Sequence, residues 1–200
     1  MKKHYLFSLL FSLSFSFSFS QATYYVMKST DPIAAQSASI IPGAGGNTGT
    51  SLTSPFDNLA AAITAASNGD TIIVGPGEFT DTALEVDKNL TIEGAGRELT
   101  KFTRSGSGGF MSIEGDVTLK NFTINGYSAN TGGGALHIGN SWGNYTTTNT
   151  YTVNLENLLF VNNFSSYAGG AIAIPGAQNT SAYTDVYIKE CLFYDNYSEG

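Results

Sequence analysis

The phrases GGALHIGN (133–140) and GGAIAIPG (169–176) begin 36 residues apart, and the first carries His137, the one histidine beyond the extreme N-terminus. Equivalent places in the other repeats hold Glu85, Ser112 and Ala173. A carboxylate and an imidazole could share acid and base work, but only if both reach one bond. Two repeats apart, they would be about 10 Å from each other at strand spacing, so no catalytic residue is assigned. His137 reads as a lone general acid, a sugar contact or a solvated surface histidine, and Glu85 is the same case. The other chemistry-bearing group is aromatic: Trp142, Tyr145 and Tyr151 within the polar run GNSWGNYTTTNTYT (139–152), with Tyr167 and Tyr183 later. Rings amid Asn and Thr can stack on sugar faces while their neighbours bond the hydroxyls. The alternative is that the loop packs its rings against the body of the protein.

Charged residues fall into a pattern that needs no ligand. Glu93, Lys120, Glu156 and Lys189 occupy one repeat position with alternating sign. Stacked neighbours of opposite charge hold a register, each pair contributing roughly 0.2–1 kcal/mol. A basic substrate groove is the competing reading. Arg97 and Arg104 fall in a turn-rich stretch, 94–109, without an evident acidic partner set. Cys191 matches Phe122 and Leu158, an inward slot, and reads as a structural thiol because no base accompanies it. Asn89, Asn121, Asn144, Asn163, Asn179 and Asn196 each begin an N-x-S/T sequon, as chance allows in so Asn- and Thr-rich a chain. Asp195, Asn196 and Glu199 give a weak signal for calcium at a turn. No metal site is assigned, and no cofactor is expected.

The elements that must position these residues are short strands. A first column of repeats holds TIIVGPG (71–77), LTIEGAG (90–96), VTLKNFT (117–123), VNLENLL (153–159) and VYIKECL (186–192). A second holds ALEV (83–86), FMSI (110–113), ALHI (135–138) and AIAI (171–174), and a third FTI (122–124), LLF (158–160) and CLF (191–193). Period-two alternation then points Ile73, Ile92, Leu119, Leu155 and Ile188 inward, beside Leu84, Met111, Leu136 and Ile172 and their partners Val86, Ile113, Ile138 and Ile174. One repeat cannot bury such a face alone, whereas stacked repeats bury it continuously. Gly-Gly provides the corner into the next strand. First-column strands beginning at Leu90, Val117, Val153 and Val186 make successive repeats 27, 36 and 33 residues long, so the extra residues go into outward loops. Ahead of the repeats, SPFDNLAAAITAASNGD predicts a short helix over about 56–66, with Ser54 as its start signal and Pro55 at its first position.

MKKHYLFSLLFSLSFSFSFSQA (1–22) has a basic start, a short apolar run and small residues at its end, the pattern of a secretory signal peptide. Loss of Lys2 and Lys3 with it takes the net charge from −7 to −9, a surface that repels nucleic acid and anionic lipid. The mature part carries no apolar run expected to span a membrane. Residues 23–53 form a short strand and a Gly/Ser-rich loop, and 54–200 the repeats. A single cysteine leaves a secreted chain no internal disulfide, so packing must stabilise it.

The segment SPFDNLAAAITAASNGDTIIVGPGEF resembles the N-terminal cap and first coil of pectin-lyase-like parallel β-helix proteins. GGAL (133–136) and GGAI (169–172), with FVNN (160–163) and FYDN (193–196), are similar to the GGA(I/L/V) and FxxN signatures of polymorphic outer-membrane-protein repeats. The resemblance implies an all-β fold, a right-handed parallel β-helix (a solenoid) with a short N-terminal capping helix, of which 54–200 is the N-terminal part. It departs at 124–127, where INGY stands in place of FxxN. The fold hosts enzymes and adhesins alike, so the function must be argued from the site. The reading is an exported or surface-displayed adhesin or carbohydrate-contacting module without catalysis in this segment. Its partner is an extracellular or cell-surface polysaccharide, or a host or neighbouring surface, and nucleic acid is not one. The alternatives are a polysaccharide lyase or glycoside hydrolase acting from later coils, and a structural stalk.

Overall fold

The computed structural model describes residues 20–28, 41–139, 149–174 and 183–199. Its strands form three parallel sheets, which correspond to the three sequence columns. The first sheet runs Thr23–Val26, Thr71–Val74, Leu90–Gly94, Val117–Lys120, Tyr151–Glu156, Thr184–Lys189, each strand parallel to the next. The second is Leu84–Val86, Met111–Ile113, Leu136–Ile138 and Ile172–Ala173. The third is Gly77–Phe79, Thr100–Ser107, Thr123–Ala129, Leu159–Val161 with Phe164–Ser165, and Leu192–Tyr194 with Tyr197–Ser198. Within each repeat the chain visits the first, the third and then the second sheet.

Alternation sets which residues form the core. Ile92, Leu119, Leu155 and Ile188 are register partners, as are Leu84, Met111, Leu136 and Ile172, and all but the last residue of each row are buried. The first rung differs from expectation: Ile72, not Ile73, pairs with Ile92, while Ile73 sits beside Glu93 and is half-buried. Turning Ile72 inward also buries Val74, whereas turning Ile73 inward would bury Thr71 and lose a valine from the core. Ile174 falls outside its paired strand and is 49% exposed.

The stretch 94–109, expected as turns, contains the eight-residue strand Thr100–Ser107. Phe102 anchors it, in register with Phe79 and Ile124, and its ring meets Phe79, Phe110 and Phe122 at centroid distances of 5.4, 4.7 and 5.3 Å. Aromatic pairs in such offset and edge-on geometry add to the area they bury. The glycines and serines around this strand hide it from a propensity reading.

Corners between the first and third sheets use left-handed residues, Asn121 (φ 66°), Asn157 (φ 48°) and Glu190 (φ 56°). Asn tolerates this region because its side chain bonds locally. Here the amides stack: Asn157 Nδ2 donates to Asn121 Oδ1 at 2.9 Å, and Asn121 Nδ2 to Glu93 Oε1 at 3.2 Å. The Gly-Gly corners do a different job. A Cβ on Gly134 would strike the Gly170 carbonyl and the Phe164 backbone, and one on Gly170 the Tyr197 backbone, so backbones of successive repeats touch there.

The helix is Leu59–Ala65, shorter than expected and capped by Asn58, whose side chain accepts from Ala61 N at 2.8 Å. Ser54 and Pro55 do not start it, because Phe56 is bridged to Val26 and exchanges backbone hydrogen bonds with Tyr25 and Met27. The first repeat then holds the helix at both ends. Asp81 Oδ1 accepts from Leu59 N and Ala60 N, and Lys88 Nζ donates to the Ile63 and Ala66 carbonyls.

Candidate functional site

His137 lies on Leu136–Ile138 in register with Ser112 and Ala173, and Ser112 with Glu85, so the expected row exists. It is not a solvated surface, which corrects the expectation for His137. His137 and Ser112 are both buried, and Glu85 alone is exposed. The turn preceding the strand packs on His137 itself: Gly132 (φ 76°) lies so near the imidazole that a Cβ there would collide with Nδ1. Buried in this way, His137 cannot touch a sugar. Ser112 donates to the Leu84 carbonyl at 3.4 Å, tying adjacent repeats.

Trp142 and Tyr145 lie outside the described residues. Tyr151 begins a first-sheet strand, is half-buried, and its hydroxyl accepts from Asn149 Nδ2 at 3.0 Å. Along that sheet the outward positions Thr71, Thr91, Thr118, Asn154 and Tyr187 form one continuous row. Tyr187 is 59% exposed. At the strand entrances, Asn68 Oδ1 accepts from Asn89 N, Asn89 Oδ1 from Asp116 N, and Asp116 Oδ1 from Thr152 N. This staircase of side-chain caps fixes the polar edge of the row. A shallow groove of about 340 Å³ runs along it, lined by Asn89, Thr91, Asp116, Thr118, Thr152 and Asn154. Sequence reasoning missed the row because it followed the inward residues; the same alternation could have supplied it.

The charge row Glu93, Lys120, Glu156, Lys189 is in register. Lys120 Nζ lies 2.9 Å from Glu93 Oε2, and Arg97 reaches its neighbour Glu98 at 3.9 Å. Cys191 packs partly buried against the core, its Sγ 3.3 Å from the Leu155 carbonyl, and burial pushes the thiol above its ordinary range. Both properties suit a structural thiol rather than a nucleophile.

The FxxN asparagines bond across repeats, Asn163 buried and Asn196 half-buried. Asn163 Oδ1 accepts from Tyr127 N, while its Nδ2 donates to the Ile124 carbonyl and to Asn196 Oδ1. Asn196 Nδ2 donates to the Phe160 carbonyl. Asn163 is completely buried, so its side chain is part of the core, and both ends of the Asn196 amide are engaged in this ladder. Among the described residues no group of three or more His, Cys, Asp or Glu is placed to hold a metal. Where INGY replaces FxxN, Tyr127 takes the asparagine's place, fully buried, with its hydroxyl donating to the Asp81 carbonyl at 2.6 Å.

Comparison with protein-family models, with curated proteins and with solved structures found no match. No helix among the described residues is long and apolar enough to cross a membrane.

Proposed function

We propose that the chain is an exported surface module that contacts carbohydrate, with its three sheets wound as a right-handed parallel β-helix. The observation that carries this reading is the outward row of the first sheet. Thr71, Thr91, Thr118, Asn154 and Tyr187 offer hydroxyls, an amide and an exposed ring at the regular spacing of parallel strands. Such groups exchange hydrogen bonds with sugar hydroxyls, and the ring stacks on a sugar face. The net charge, −7 for the whole chain and −9 without residues 1–22, favours neutral or weakly acidic glycans over polyanions. The leader-like residues 1–22 support export, and Trp142 and Tyr145 in the polar run 139–152 are a second source of rings in the sequence.

The test is a glycan-array measurement with the full chain, its Tyr187→Ala variant and a Trp142→Ala/Tyr145→Ala variant. Saturable glycan binding by the wild type, weakened about tenfold or more in these variants with β-structure retained, supports the reading. Absence of binding to any glycan overturns it in favour of a structural stalk. Release of unsaturated sugars from a bound polysaccharide would replace it with a lyase.

A further inference from the structure

The third sheet breaks its register once. Between Thr103 and Gly106 the strand Thr100–Ser107 carries an irregularity against Thr123–Ala129. A bulge gives up ladder hydrogen bonds and re-aims a side chain, here Arg104. The guanidinium is held in place, with Nε and Nη2 both donating to the Ser107 carbonyl at 3.0 and 2.7 Å. Its charge is not neutralised by a close carboxylate, since the ion pairs among the described residues are Arg97–Glu98 and Lys120–Glu93. Opposite the bulge, Gly126 (φ 74°) leaves room that a Cβ would take from the Arg104 carbonyl.

These features border a groove of about 660 Å³, in the size range of small-molecule sites, with Glu78, Thr103, Asn125 and Asn162 on its other sides. Asn162 Nδ2 donates to Asn125 Oδ1 at 3.3 Å, which sets the amides so that Asn125 Nδ2 and Asn162 Oδ1 are left for a ligand. One positioned guanidinium, one carboxylate, two amides and a hydroxyl form a complete set for a polar ring that bears a single acid group.

We propose that this groove binds the terminal sugar acid of a glycan, its carboxylate on Arg104 and its hydroxyls on Asn125, Thr103 and Glu78. The inference rests on the carbohydrate-contacting reading above and refines it to a second site and a ligand class. Nε and one Nη2 hydrogen serve Ser107, so the carboxylate meets the outer Nη1–Nη2 edge, whose two parallel N–H donors give orientation as well as attraction. Glu78 accepts sugar hydroxyls but repels a second carboxylate, so one acid group is favoured over a polyuronate.

The test titrates the full chain with the methyl α-glycoside of N-acetylneuraminic acid, with the methyl ester of the same sugar, and with trigalacturonate, by calorimetry and by the Arg104 Nε–H signal in NMR. The expected result is saturable binding of the acid that moves the Arg104 signal, and at least about tenfold weaker binding of the ester and of trigalacturonate. Arg104→Gln and Asn125→Asp should each weaken the acid by a similar factor. The second variant guards against misfolding of the first. Equal binding of acid and ester, unchanged binding in both variants, or no binding of the acid overturns the groove. Neutral-glycan binding lost on Tyr187→Ala, with no sialoside binding, sinks the groove and leaves the surface row standing. Sialoside binding lost in Arg104→Gln and untouched by Tyr187→Ala does the reverse. No binding to any sugar removes both.

Discussion

Asn163 is a polar side chain with no exposed surface, and its amide oxygen and nitrogen are both engaged across adjacent repeats. Truncation to alanine strands the Tyr127 N–H and the Ile124 carbonyl in the core. Asn163→Ala is expected to cost about 2–4 kcal/mol, seen as a lower urea midpoint with an unchanged slope. Asp81 gives a pH signature. Its carboxylate caps the helix, yet burial outweighs those bonds and holds its pKa above the ordinary 3.8. The folded state therefore takes up a proton, a contribution to stability complete below about pH 3.8 and lost as pH rises through the raised value. Asp81→Asn retains an acceptor for both helix N–H groups, so it should be more stable than wild type at pH 7. The gap should close on acidification toward pH 3.8, and a gap that widens would refute the account. Of the residues singled out from sequence, the FxxN asparagines were legible as a motif but the burial of Asn163 was not. His137 misled because alternation gives the face of a sheet a residue lies on, not what the preceding turn folds across it.

Among the elements, the Gly-Gly corners are where successive repeats come closest. Gly134→Ala drives a methyl into the Gly170 carbonyl and the Phe164 backbone, neither of which can step aside without moving a strand. Thermal melts should show a loss of about 3 kcal/mol or more. Gly46→Ala is the control, since no atom lies within 4 Å of its Cβ position and only the left-handed backbone (φ 94°) resists, at about 1 kcal/mol. Comparable losses at the two sites would contradict a contact role for Gly134. The corners and most ladders were legible because both repeat. The helix start was not, because the Ser-Pro signal leads into Phe56, which bridges to Val26 before the helix begins at Leu59. Thr100–Ser107 was hidden by its glycines and serines, although Phe102 lies among aromatic rings that only the assembled fold brings together.

For the molecule as a whole, the repeat is an architectural device: it continues rows of apolar side chains along the sheets, adds a charged row in the first sheet and amide contacts at the corners, and leaves the outward rows for contact. The last rungs, Ile188 and Phe193, are 52% and 48% exposed although their partners Leu155 and Phe160 are fully buried, so the rows run to the outermost described strands. Everything proposed about ligands depends on the register that builds those rows. A disulfide test reads it directly, in a Cys191→Ser background. Thr118 and Asn154 are register partners on the outward face of neighbouring parallel strands, about 4.8 Å apart and within disulfide reach. Thr118→Cys/Asn154→Cys should oxidise readily in the folded protein, while Thr118→Cys/Thr152→Cys, displaced by two residues, should stay reduced. Cross-linking of the displaced pair in preference to the matched one would contradict the register and the surface argued from it.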